Sequence, residues 1–279
     1  MYFFSLLFVD SYCIIMLKSF LIQEESNMNI GYQLSSITPY LQTMDELSNA
    51  FRKISRLGYK HVQLQGASMD IPDEFIRAEL DENGLTCVAI QVDYPDGFGE
   101  CPQRYIDRAI ACGAKYLTFA IIPWDIKTVD ALEEFAGTSR EINKLVNDAG
   151  LIFAFHPIGP DFRLMDGEPV YERFMKLMPD SMQLTFCVHS TFGSPVSYSE
   201  VFDKFSGRMD LVHFKDSVLL PDGKAQLMPL GAGRTDWQPI AAKCAKAGVK
   251  WVFAEQENWQ KDAFECAEDS LNYLKKLEF

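Results

Sequence analysis

The sequence predicts an α/β fold, a single (β/α)8 TIM barrel, and three observations carry that expectation. First, an amphipathic stretch, a glycine and a short β-rich apolar run recur in that order: RKISRLG58 before YKHVQLQ, ELDENG84 before LTCVAIQV, RAIACG113 before AKYLTFAII, KLVNDAG150 before LIFAFH, and AAKCAKAG248 before VKWVFAE. A glycine just past a helix end takes the left-handed conformation that caps the last turn, and a strand follows within a residue or two, so each copy is an αβ unit. Second, three further apolar runs, NIGYQLS at 29–35, MQLTFCVH at 182–189 and MDLVHFK at 209–215, raise the strands to eight. Third, the first strand runs into SITPYL, without the glycine-rich phosphate turn that an open doubly wound sheet places there. Eight alternating strand–helix units close as a parallel barrel.

In chain order the strands fall at 29–35, 60–65, 85–93, 115–122, 151–156, 182–189, 209–215 and 250–255. The helices between them have recognisable starts. Thr43 with Glu46 forms a capping box before LSNAFRKISRL. Pro72 suits a first turn, and Thr235 or Asp236 can cap the helix that runs through Ala247. The stretch SVLLPDGKAQLMPLGAGR after the seventh strand is long for such a connection and reads as a lid or substrate loop.

The chain has 279 residues, 48% hydrophobic and 23% charged, enough for one large core and within the usual length of one barrel. No linker or low-complexity stretch divides residues 28–279, which we read as one domain. Residues 1–27 are different: MYFFSLLFVDSYCIIMLKSFLIQ is apolar, yet it lacks the positive lead and small-residue cleavage site of a secretory signal, and Asp10 interrupts it. An N-terminal extension from an over-extended start, with Met28 the natural one, is the reading adopted over an appended helix or a membrane tether. With 26 basic against 39 acidic residues the formal charge is −13, which repels phosphate backbones and anionic membrane surfaces. The expectation is a cytoplasmic protein with a small-molecule partner, and neither nucleic acid nor membrane. The seven cysteines form no CxxC pair and read as reduced thiols.

Chemistry in such a barrel sits at the carboxyl ends of the strands. Of four histidines, His156 ends the fifth strand, His189 the sixth, and His213 lies near the end of the seventh; His61 stands at the start of the second and reads as core. Glu255 closes the eighth strand behind the apolar WVFA. Imidazoles and a carboxylate at one mouth suit a divalent transition metal with open water positions. Gln63 and Gln65 share one strand face by period two and either bind hydroxyls or fill the barrel as paired amides. Asp161, Lys215 and Asp216 are site residues or solvated loop charges. Trp124, Trp259 and Tyr94 fall in loops where they either stack on a sugar ring or simply pack. Arg234 is the cation offered to a phosphate.

These residues carry a resemblance. VHFKD at 212–216, PLGAGRTDW at 229–237, WVFAEQENW at 251–259 and a closing SLNYLKKL, preceded by GYKHVQLQG and FHPIGPDFRLMDGEPVY, resemble the xylose-isomerase-like sugar phosphate isomerase/epimerase family over about 29–276. The resemblance implies a divalent metal (Mn, Co, Zn, Mg or Fe) held by groups from the fifth to eighth strands. His213 and Glu255 match the last two positions, His156 falls on the fifth-strand position, and Asp161 falls on a later carboxylate. The family's sixth-strand Asp falls on Phe186, which cannot ligate, so Cys187 is its substitute, while His189 matches the family's neighbouring His.

The expected function is a sugar or keto-polyol isomerase or epimerase working by metal-assisted proton transfer through an enediol. In that scheme Glu255 is the base or a ligand, His189 and Lys215 return the proton or orient hydroxyls, and Gln63, Gln65, Asp161, Asp216, Trp124, Trp259 and Arg234 contact substrate. Two alternatives stand beside it: a dehydratase or lyase on the same scaffold, and a metal-depleted barrel that binds a sugar or a partner subunit without turnover. A third, a metal-dependent phosphodiesterase acting on DNA, is opposed by the charge of −13. Barrels of this family often pair, so a homodimer is expected.

Overall fold

The computed structural model describes residues 28–279, and the reading of residues 1–27 lies outside them. Eight parallel strands form a closed barrel: β1 (Asn29–Gln33), β2 (His61–Leu64), β3 (Thr86–Asp93), β4 (Tyr116–Ala120), β5 (Ile152–His156), β6 (Gln183–Cys187), β7 (Leu211–Phe214) and β8 (Trp251–Ala254). Neighbours in sequence are neighbours in the barrel, and β1 closes the ring on β8, with Gly31 opposite Phe253 and Tyr32 opposite Ala254. Each strand sits where the apolar runs placed it. The sixth is shorter than expected: it ends at Cys187, and Val188–Thr191 turns into a 3₁₀ segment that carries His189 outside the sheet.

Eight helices cover the barrel: α1 (Met44–Leu57), α2 (Asp73–Glu82), α3 (Pro102–Ala111), α4 (Val129–Asp148), α5 (Val170–Leu177), α6 (Tyr198–Lys204), α7 (Gln238–Ala247) and α8 (Ala263–Leu274). The capping box on α1 forms as read, with Thr43 accepting from the Glu46 amide and Glu46 accepting from the Thr43 amide. All five repeated glycines have positive φ, from 61° at Gly84 to 106° at Gly58, which is what lets each helix stop and the next strand start at once. Asp236 accepts from the Gln238 amide at the start of α7.

Alternation along the strands sets two environments. Outward residues such as Phe119, Phe153 and Phe155 stack on one another and on Phe135 and Phe174 of α4 and α5. Inward residues fill the barrel. At its amino-terminal end, Val88, Ala89, Tyr116, Leu211 and Phe253 form a small apolar plug. His61 lies at that same end, edge-on to Trp251. Above the plug the interior is polar: Thr118 hydrogen-bonds Thr185, and Gln63, Gln91 and His213 are buried. Phe186 points outward, against Phe202 of α6.

The long connection after β7 is a folded hairpin, Asp216–Leu219 paired antiparallel with Ala225–Met228. Among the described residues no helix is long and apolar enough to cross a membrane, and the six cysteines are free thiols.

Candidate active site

Closure of the barrel brings a polar group from nearly every strand to one mouth. A cavity of about 260 Å³ there is lined by Ser35, Gln65, Gln91, Asp93, Ala120, Ile121, His156, Ile158, Cys187, Ser190, Lys215, Glu255 and Glu257. It lies at the carboxyl ends of the strands, as the fold requires. Its wall includes Ile121, which follows β4 with φ of 70°, a conformation that a β-branched side chain adopts only under constraint.

At the centre is an ion cluster. The Lys215 ammonium is 3.1 Å from Glu255 Oε1 and 2.9 Å from Glu257 Oε2. Glu255 is 5% exposed and lies 3.2 Å from His213 Nδ1 through its other oxygen, with the Cys187 thiol 3.9 Å away. The two carboxyl groups are driven apart in proton affinity. Burial alone would raise both, but Lys215 and the neighbouring imidazoles hold Glu255 well below the usual carboxylate range. Glu257 has burial and the Glu255 charge against it, and rises to about 7. The same two carboxylates raise the Lys215 pKa against its burial, so the ammonium persists.

Beneath the ion cluster a ladder of amides crosses the barrel. His213 Nε2 donates to Gln63 Oε1 at 2.6 Å, Gln63 to Gln91 at 2.8 Å, Gln91 to Gln65 at 2.9 Å, and Gln65 to Asp93 at 3.3 Å. Gln33 also donates to Gln65. Both readings of the glutamines therefore hold, at different depths: Gln63 is a buried member of the ladder, while Gln65 and Gln91 reach the cavity. Asp93 faces the cavity with its pKa raised by burial and then by the Asp96 and Glu255 charges. His156 lies against His213, ring centres 4.8 Å apart, with neither nitrogen partnered. Burial lowers its pKa to about 3, so it is a neutral imidazole facing the cavity.

Of the expected site residues, His156, Cys187, Lys215, Glu255 and Gln65 line the cavity, and His213 and Gln63 support its floor. His189 sits at the rim, hydrogen-bonded to Ser217 Oγ at 3.1 Å and packed on Phe192. The others have different work. Asp216 is fully buried and accepts from the amides of Ser217, Gly231, Gly233 and Thr235 and from Trp237 Nε1, so it anchors the β7 loop and does not face substrate. Asp161 is 1% exposed and binds the Ile158 amide, which holds the loop after β5; burial raises its carboxyl to about 6. Trp259 donates its indole N–H to the carbonyls of Ser36 and Gln256 and packs on Tyr40. Trp124 is 52% exposed outside the cavity. Tyr94 packs edge-on against Phe98, Phe119 and Phe135. Arg234 lies in a separate surface depression with Phe192, Tyr198 and Asp236.

Two cavity carboxyl groups escaped the sequence reading, Glu257 and Asp93. The period-two rule that paired Gln63 with Gln65 also pairs Glu255 with Glu257 in AEQEN, and that was the available signal.

The donors do not fit the expected divalent metal. Among the described residues no group of three or more His, Cys, Asp or Glu converges in a way that could hold one. A cation already stands on Glu255 in the form of Lys215. Burial pushes the Cys187 thiol up to about 12, so it stands in the cavity as a neutral thiol. Phe186 turns outward against Phe202 and offers no sixth-strand ligand, and Cys187, one residue on, has the inward place.

Comparison with known proteins agrees with the architecture. A sugar phosphate isomerase/epimerase from Parabacteroides distasonis superposes with a TM-score of 0.75 at 17% identity, over 91% of this chain and 95% of that one. An L-ribulose 3-epimerase superposes with a TM-score of 0.71 at 12% identity, over 88% and 93%. A 3-keto-D-glucoside 4-epimerase from E. coli gives 0.70 at 14% identity, over 89% and 99%. A comparison with curated protein sequences returned no significant match. The family model of the xylose isomerase-like TIM barrel matches residues 51–277, and by that match, together with the closed eight-stranded barrel, the chain belongs to this family.

Proposed function

We propose that the protein is an isomerase or epimerase of a sugar or sugar-like keto-polyol, acting by proton transfer beside a carbonyl through an enediol. The observation that carries this reading is the pair of carboxyl groups, Glu255 and Glu257, set on either side of one lysine in a polar cavity. Isomerisation and epimerisation need a group that removes a C–H proton, a group that returns one, and charge to hold the oxygen between. Glu257, with a pKa near neutrality and an exposed fraction of 34%, is matched to the proton-transfer task; Glu255, locked by Lys215, is a weak base and orients the lysine.

The lining suits hydroxyl groups. Gln65, Gln91, Asp93 and Ser35 offer donors and acceptors around one side, and the His156 ring forms part of the wall. The cavity of about 260 Å³ has room for one small polar molecule, and it shares Ser35, Gln65, Gln91 and Asp93 with a neighbouring cavity of about 350 Å³. Among the described residues Lys215 is its only cationic side chain, beside three carboxyl groups, which favours an uncharged sugar over a phosphorylated one. Three structural neighbours bear the names of sugar isomerases or epimerases, in keeping with this substrate class.

The test is exchange of substrate C–H protons with solvent. Incubation with a panel of ketoses and keto-glycosides in D₂O, followed by NMR, is expected to show deuterium entering one substrate next to its carbonyl. Glu257→Gln is expected to slow that exchange by about 10²–10⁴-fold, the usual contribution of a positioned proton-transfer group. Sugar binding without exchange would support the non-catalytic barrel instead.

A further inference from the structure

We propose that the Lys215 ammonium takes the place of a divalent cation in this site and supplies the positive charge that holds the developing enediolate oxygen, so that proton transfer needs no metal. The inference rests on the proton-transfer reading above and assigns it an electrophile.

The geometry supports it in three ways. An ammonium has three donors. One hydrogen-bonds Glu257 Oε1 at 3.2 Å, and the charge also pairs with Glu255 Oε1 at 3.1 Å and Glu257 Oε2 at 2.9 Å, which leaves donor capacity for the cavity that Lys215 lines. A divalent ion bound to the same carboxylates would meet a like charge within about one atomic diameter, a repulsion that a poorly solvated site screens weakly. Finally, the imidazole expected to join such an ion has one nitrogen already engaged: His213 is fully buried, its Nε2 is held at 2.6 Å by Gln63, and only Nδ1, 3.2 Å from Glu255, remains.

The step balances without a co-reactant. A Glu257 oxygen takes the proton on the carbon next to the carbonyl, the C–H electron pair becomes the C=C bond of the enediolate, and the carbonyl π pair moves to its oxygen. That oxygen is held by an N–H of Lys215. Delivery of a proton from water to the same carbon on its other face, with the Glu257 proton passing back to water, gives the epimer. Return of the Glu257 proton to the former carbonyl carbon, with the neighbouring O–H proton passing to the former carbonyl oxygen, gives the isomer and leaves Glu257 ionised again. A preorganised donor in such a place contributes about 10²–10³ in rate.

The proposal is tested first by a readout that does not depend on turnover. Mn²⁺ is titrated into the full-length wild type, Lys215→Ala and Lys215→Ala/Glu255→Gln, with bound metal also measured by elemental analysis on protein purified without a His tag. Lys215→Ala uncovers both carboxylates and is expected to bind Mn²⁺ at least about tenfold more tightly than wild type, a gain of about 1.4 kcal/mol that the double variant loses. About one tightly held metal per wild-type chain, or no gain in Lys215→Ala, overturns the proposal. Exchange in D₂O supplies the second arm: wild-type exchange should survive EDTA, while Lys215→Met should lose at least about 10²-fold and Lys215→Arg less. Exchange abolished by EDTA, or unchanged in Lys215→Met, also overturns it. Should the lysine variants fail to fold by circular dichroism, the wild-type metal content and EDTA arms still decide. A wild type that exchanges no sugar proton removes the proton-transfer reading, while the Mn²⁺ titration continues to decide whether Lys215 stands in the cation's place.

Discussion

Asp216→Asn changes one oxygen to an NH₂ group without altering size, and the structure fixes what that must do. Asp216 Oδ1 accepts from the Ser217 amide at 2.9 Å and the Thr235 amide at 3.3 Å, while Oδ2 accepts from Gly231, Gly233 and Trp237 Nε1, each at 3.1 Å. Whichever way the new amide turns, its nitrogen faces at least two N–H donors that cannot reach water. Each buried donor left without an acceptor costs about 1–3 kcal/mol, so the variant should lose about 2–6 kcal/mol. The remaining bonds also weaken, because they are no longer charge-assisted. With a urea dependence of about 3 kcal/mol/M for a domain of this size, the unfolding midpoint should fall by about 0.7–2 M. Trp237, stacked on Phe214 with ring centres 4.4 Å apart, makes fluorescence a local reporter of the transition. A shift below about 0.3 M, equivalent to about 1 kcal/mol, would show that Asp216 is not the anchor of this loop. Asp216→Ala should do no better, since it removes every acceptor at once.

Three further outcomes are expected. As a base, Glu257 acts in its ionised form, so with a pKa of about 7 the value of kcat/KM for substrate exchange should fall about tenfold per pH unit below neutrality; a profile flat between pH 5 and 8 refutes its role. His156 is held neutral, its pKa lowered from 6.5 to about 3 by burial first and by the neighbouring imidazole second. The unfolded chain therefore binds more protons between those values, and stability drops as pH falls through that window by up to about 1.4 kcal/mol per unit; His156→Gln should flatten this slope in denaturant unfolding measured from pH 7 to 4. Arg234 lies outside the central cavity, so Arg234→Ala should leave the KM of an uncharged sugar within about twofold, and a tenfold rise, about 1.4 kcal/mol, would return it to the site.

Local pattern determined most of the architecture. The repeated helix, glycine and strand units specify φ signs and strand starts from residues adjacent in the chain, and the period-two alternation specifies which side chains enter the barrel. The approximate positions of all eight strands, and the candidacy of His156, His213, Lys215 and Glu255, follow from these rules because both depend on near neighbours. A one-residue error is enough to undo such a rule: the motif spacing points to Phe186 as the sixth-strand position, but strand parity turns it outward and presents Cys187 instead.

The chemical state of each group depended on closure of the barrel. Asp216 is an anchor because Gly231, Gly233 and Trp237 fold back on it, and a side chain on Gly233 would collide with its carboxylate. Glu255 and Glu257, two residues apart, share Lys215 but differ in proton affinity because Glu255 also has His213 against it, while Glu257 faces burial and the Glu255 charge. Gln63 becomes a floor residue only when β2 faces His213 of β7 across the ring. Burial, desolvation and charge pairing are properties of the packed neighbourhood, and for this site that neighbourhood is assembled from strands distant in sequence. That is why the sequence identified the mouth of the barrel, and only the tertiary structure decided that one lysine pairs there with both Glu255 and Glu257.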